Sequence, residues 1–90
     1  MAKYEPLQDY LAARRLMGRV RLSFVEVGAV LGKPLPLSAF KYREWWANQS
    51  DTSTRPQAAA WLGAGFAVDA IHQERGDGWV EFMWRGDVAR

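Results

Sequence analysis

Ninety residues with a formal net charge of +2, 49% hydrophobic and 13% aromatic side chains, make one globular domain with a modest core and exclude a disordered chain. There is no cysteine and a single histidine, His72, which excludes disulfides, thiolate metal sites, cysteine nucleophiles and histidine-rich metal clusters. No run approaches the ~18 apolar residues of a membrane span, and Met1-Ala2-Lys3-Tyr4-Glu5-Pro6 lacks a signal-peptide pattern, so a single cytoplasmic domain over residues 1–90 with no membrane partner is expected.

Pro6 suits a first helical turn, where its missing N–H would be unpaired anyway. Leu7, Tyr10 and Leu11 then form the buried stripe of a helix ending near Gly18, with Arg14 and Arg15 in its last turns. Arg19-Val20-Arg21-Leu22-Ser23 alternates charged and apolar residues and predicts a short half-buried strand. Ser23-Phe24-Val25-Glu26 matches a capping box and starts a second helix with Phe24, Val27, Val30 and Leu31 on one side, stopping at Gly32. Lys33-Pro34-Leu35-Pro36 breaks the chain, and Ser38 is placed to cap a third helical segment carrying Phe40, Tyr42, Trp45 and Trp46.

Asn48 to Arg55 reads as a polar loop, and Pro56 opens a further helix with Gln57, Trp61 and Leu62 that ends at Gly63-Ala64-Gly65. The remainder predicts a hairpin: Phe66 to Glu74, a turn at Arg75-Gly76-Asp77-Gly78, and Trp79 to Arg85. In the second of these strands Val80, Phe82 and Trp84 share one face, with Trp79, Glu81, Met83 and Arg85 on the other. The order helix, strand, helix, helix, helix, hairpin predicts a small α+β domain, winged helix-turn-helix-like, with a C-terminal β-hairpin and one extra helical segment before it.

Catalytic chemistry has little to work with. No serine lies in a nucleophile elbow, His72 sits in a strand with Asp69 across the pleat, and neither Gly63-Ala64-Gly65 nor Gly76-Asp77-Gly78 has the spacing of a phosphate loop. The expectation is a protein that is not an enzyme and needs no cofactor or metal.

Binding is better supported. Residues 10–43 carry Arg14, Arg15, Arg19, Arg21, Lys33, Lys41 and Arg43 against Glu26 alone, whereas residues 44–90 carry four arginines and seven carboxylates. The basic stretch is suited to phosphate contacts, or to pairing within the molecule. Asn48, Gln49 and Gln57 have the paired donor and acceptor that read adenine, and Arg55 stands just before the start of a helix. Trp45, Trp46 and Trp79 are candidate stacking rings; Trp61 and Trp84 belong to the core. Adjacent tryptophans on a helix sit about 100° apart, so at least one of Trp45 and Trp46 is expected to border a polar surface.

The expected function is therefore a nucleic-acid-binding module, DNA favoured over RNA. Arg19, Arg21, Lys41, Arg43 and Arg55 would lie on phosphates, and Trp45, Asn48 and Gln57 on bases. The alternative is a protein-interaction module, such as a phage-encoded inhibitor or an accessory subunit of a bacterial defence system, because tryptophan and arginine also dominate protein interfaces. Recognition of a modified base in an aromatic pocket stands third.

Tyr4-Glu5-Pro6-Leu7, Ser23-Phe24-Val25-Glu26-Val27, the stretch Leu31 to Ala39, Arg43 to Asn48 and Gln57 to Phe66 together resemble a small bacterial and phage domain family of unknown function. Its motifs are Tyr-x-Pro-Leu, Leu-Gly-x-Pro-Leu-Pro-x-Ser-Ala, Trp-Trp-Ala-Asn and Gln-Ala-x-Ala-Trp-Leu. The resemblance spans residues 4–84 and implies a domain found alone or beside DNA-handling partners. Where that family has a histidine before the Pro-Gln pair, this chain has Arg55, which argues against a base or ligand role at that position.

Overall fold

A computed structural model describes residues 3–48, 56–74 and 77–86. Four α-helices, α1 (Glu5–Ala12), α2 (Phe24–Leu31), α3 (Leu37–Lys41) and α4 (Pro56–Gly63), pack on a sheet of β1 (Arg19–Ser23), β2 (Phe66–Glu74) and β3 (Asp77–Trp84). The sheet is antiparallel throughout, in the order β1-β3-β2. The chain is thus a small α+β domain.

In α1, Pro6 occupies the first turn beside Glu5, whose charge meets the positive helix end. Leu7 and Leu11, one turn apart, are buried. The helix stops at Ala12, earlier than the sequence pattern predicts, and Arg15–Met17 form a separate 3-10 turn. Arg14 explains part of that stop. Its guanidinium lies 3.5 Å from the centroid of the Tyr10 ring and donates to the Tyr10 carbonyl oxygen at 3.0 Å, holding one of the open carbonyls of the helix end.

Strand β1 alternates as expected, with Val20 and Leu22 buried and Arg19 and Arg21 outward. The capping box is formed: Ser23 Oγ accepts from the Glu26 N–H at 3.0 Å, and Glu26 Oε1 from the Ser23 N–H at 2.8 Å. The third helix differs from expectation. It is led by Pro36, with φ −67° and ψ 158°, and Ser38 lies inside it without capping. A proline whose φ is already fixed sets the chain direction there without a side-chain acceptor.

The hairpin register pairs Glu74 with Asp77 and Gln73 with Gly78. Asp77 and Gly78 therefore belong to β3 rather than to the turn; Arg75 and Gly76 lie outside the described residues. Between Val68 and Ala70 the register shifts by a β-bulge at Asp69.

The core is a run of rings. Trp46 stacks on Phe24 at 5.2 Å and on Trp61 at 5.8 Å, and Trp61 in turn meets Phe82 at 5.6 Å. Trp45 packs edge-on to Trp46 at 4.7 Å and to Tyr4 at 6.1 Å. Both tryptophans are buried, Trp45 with 9% of its surface exposed and Trp46 with 2%. The expectation of a partly exposed ring fails because residues Arg43–Trp46 form a 3-10 helix enclosed by α2 and α4 on one side and the Tyr4 ring on the other. A segment covered on two sides buries rings that point in two directions. Trp84, expected in the core, is only half-buried.

Candidate nucleic-acid interface

The residues singled out from the sequence fall into three separate places. Trp45, Asn48 and Gln57 form one of them, a structural knot. Gln57 is buried, and its Nε2–H donates to the Trp45 carbonyl oxygen at 2.8 Å. Asn48 Nδ2–H donates to the Val68 carbonyl oxygen at 3.0 Å, and its Oδ1 accepts from Val68 N–H at 2.8 Å and Trp61 Nε1–H at 3.0 Å. One carboxamide thus supplies the pairing that an edge strand lacks on its open side. The groups expected to read bases are committed to joining α4, β2 and the tryptophan segment. A side chain leaving this work would strand buried polar groups at about 1–3 kcal/mol each.

Arg19 and Arg21 stand together on the open face of the sheet, among carboxylates. Arg19 Nη1 donates to Asp69 Oδ2 at 3.0 Å and to Glu81 Oε1 at 2.9 Å. The hydrogen bond to Asp69 first, and then that to Glu81, raises the Arg19 pKa above its ordinary value. The bulge at Asp69 matters here, because it lets a β2 carboxylate reach a β1 arginine across β3. Arg21 Nε lies 3.6 Å from Glu81 Oε2, and its guanidinium sits 3.9 Å from the Trp79 ring centroid. His72 stacks on the same ring at 5.7 Å and pairs with Glu74 at 3.0 Å. Arg19 is thereby neutralised by two acids, and the expected row of free strand arginines is an internally paired network.

Lys41 and Arg43 form the third place, at the end of α3 and the start of the 3-10 helix. Both are exposed, and neither makes an ion pair among the described residues. Tyr42 lies between them with its ring more than half exposed. Here the structure offers cation, ring and cation in sequence. Tyr42 was passed over in the sequence because it shares a segment with larger rings. Its exposure follows from the switch at that residue to extended backbone, φ −118° and ψ 122°. Arg55 lies outside the described residues.

A groove of about 640 Å³ opens at the C-terminal ends of α1 and α4. Arg15, Asn48, Leu62, Phe66, Trp84 and Arg85 contribute to its lining. Sequence reasoning missed it, since its walls come from four distant segments. Among the described residues no group of three or more histidines and carboxylates is placed to hold a metal ion, and no helix is long and apolar enough to cross a membrane.

These features define a small α+β domain with a ring-rich core, a charge-paired open sheet face and, among the described residues, two basic regions without an ion pair. The chain belongs to the family described as domain of unknown function DUF7662, whose profile matches residues 4–86. No curated protein and no solved structure matches it.

Proposed function

We propose that the chain is a nucleic-acid-binding module without catalytic activity, in which Lys41 and Arg43 hold phosphates and Tyr42 stacks on a base. The observation that carries this reading is the exposed ring bracketed by two cations that no acid neutralises among the described residues. Cations hold a strand through its backbone, and a ring accepts any unpaired base. The element order and the β1-β3-β2 sheet support a winged-helix arrangement, which favours DNA over RNA by fold analogy alone. The exposed positions of α4, Pro56, Ala59 and Gly63, carry no side chain able to read base edges. Stacking on a single strand is accordingly the mode we favour.

The test is fluorescence anisotropy with single- and double-stranded DNA and RNA oligonucleotides at two salt concentrations. Arg43→Ala is expected to weaken binding evenly across sequences and to lower the salt slope by about one unit. Tyr42→Ala is expected to weaken single strands by about 1–3 kcal/mol and leave duplexes little changed. Unchanged affinity in both variants would overturn the assignment of this face.

A second reading, a protein-interaction module, is favoured by one observation: Leu16 is 94% exposed, and Met17 beside it is also exposed. Large apolar side chains so placed are candidate interface anchors. On this reading Leu16→Asp leaves the unfolding midpoint unchanged and abolishes a complex isolated from host lysate; a complex that survives Leu16→Asp counts against it.

A further inference from the structure

The groove between α1, α4 and the far end of the β2–β3 pair lies apart from the Lys41–Arg43 face and has its own chemistry. Leu62, Phe66 and Trp84 supply apolar and aromatic wall, and Arg15 and Arg85 supply charge. Trp84 packs edge-on to Phe66 at 5.6 Å and stays half-buried. Its indole N–H has no hydrogen-bond acceptor among the described residues, although every fully buried side-chain polar atom in those residues is satisfied. It is a donor turned to an accessible space.

Charge decides the ligand. Arg15 and Arg85 are exposed and have no acidic partner among the described residues, and no described lining residue is a carboxylate. Two helices end at the groove, α1 at Ala12 and α4 at Gly63. Each helix end carries roughly half a negative charge, so two full guanidinium charges leave the groove net positive. The volume falls in the range of about 300–1,000 Å³ typical of small-molecule sites. Backbone ties hold the walls: the Trp84 N–H donates to the Gly18 carbonyl at 2.7 Å and the Arg85 N–H to the Gly65 carbonyl at 2.8 Å.

We infer that this groove is a binding site for a small planar anion, an aromatic ring bearing a phosphate or carboxylate. The ring packs against Trp84 and Leu62, and the anionic group is held by Arg15 and Arg85. The site is independent of the nucleic-acid face proposed above, since the two share no residue.

The test is a titration of nitrogen-15-labelled protein with adenosine 5′-monophosphate, indole-3-acetate and neutral adenosine, following the tryptophan indole N–H signals. Trp84→Phe identifies the Trp84 signal by its loss. At least one of the two anions is expected to move that signal saturably, and adenosine to bind about tenfold more weakly than its monophosphate, the equivalent of about 1.4 kcal/mol. Binding of the monophosphate alone identifies a nucleotide site, and binding of indole-3-acetate an aromatic-acid site. Arg15→Ala and Arg85→Ala should each weaken the bound anion by about tenfold, while Arg43→Ala leaves it unchanged. A Trp84 signal unmoved by either anion at millimolar concentration overturns the inference. So does binding that persists unchanged in both groove variants, or that is lost in Arg43→Ala.

Discussion

Trp46→Ala is expected to remove a large share of the domain's folding stability, about 3–5 kcal/mol, and to lower its melting temperature accordingly. Truncating a buried tryptophan costs about 3–5 kcal/mol, and a domain of this length has about 5–13 kcal/mol in total. Trp46 stands at the upper end of that cost. It is sandwiched between Phe24 and Trp61, touches Trp45 edge-on, and donates its indole N–H to the Ala39 carbonyl at 2.9 Å. Loss of the ring removes three aromatic contacts at once, each worth about 0.5–1.5 kcal/mol beyond area burial. Trp46→Phe separates packing from hydrogen bonding. The Ala39 carbonyl also accepts from Gln73 Nε2–H at 2.9 Å, so it keeps a partner when the indole leaves. That variant should therefore cost only about 1–2 kcal/mol, chiefly for the volume lost. Thermal unfolding followed by circular dichroism reads both. An alanine variant that melts with the wild type would remove Trp46 from the centre of the core.

The contrast between Trp46 and its neighbours shows which features a sequence exposes. The strand at Arg19–Ser23 and the capping box at Ser23 and Glu26 were legible because their signals are local: a period of two, and two side chains three residues apart. The hairpin was legible from alternation, though its Asp-Gly pair entered β3 because the pairing continues to Glu74 and Asp77. Asn48 and Gln57 were misread as surface readers because their partners are remote in the chain: Val68, Trp61 and Trp45. No local pattern distinguishes a carboxamide that waits for a base from one that completes a strand edge. The cap at Ser38 was misread for the opposite reason, since a local signal was present but Pro36 already set the backbone.

Charge along the chain shows the same limit. The basic excess of residues 10–43 reads as one binding face in sequence, yet the fold divides it. Arg14 is spent on Tyr10 and its helix end, Arg19 on Asp69 and Glu81, and Arg21 on Glu81 and Trp79. The acids that neutralise the strand arginines come from the carboxylate-rich second half. The asymmetry is thus partly an instruction for strand pairing across the sheet. Among the described residues, Lys33, Lys41, Arg43 and Arg15 keep no acidic partner, and Arg85 joins Arg15 at the groove; this set is smaller than composition suggests.

Gly65→Ala carries the second large effect, and Gly32→Ala is its control. Both glycines have positive φ, +88° and +83°, where a Cβ costs about 1–2 kcal/mol by conformation alone. At Gly32, which ends α2, a Cβ meets nothing within 4 Å. Its replacement should therefore cost only that conformational amount. At Gly65 a Cβ would overlap the six-membered ring of Trp84, lying under 3.0 Å from Cη2. The ring cannot yield freely, because Phe66 abuts it and the Trp84 and Arg85 amides are tied to Gly18 and Gly65. Overpacking of this kind adds about 1–3 kcal/mol, so Gly65→Ala should cost about 2–5 kcal/mol and Gly32→Ala about 1–2 kcal/mol. Urea denaturation of the two variants measures the difference, and equal midpoints would mean that the Trp84 ring does not close off the space beside this glycine. The two substitutions also part in function. Displacing Trp84 removes the aromatic wall of the basic groove, so anion binding should fall in Gly65→Ala while nucleic-acid binding at Lys41 and Arg43 persists. Gly32→Ala, which belongs to neither site, should leave each intact.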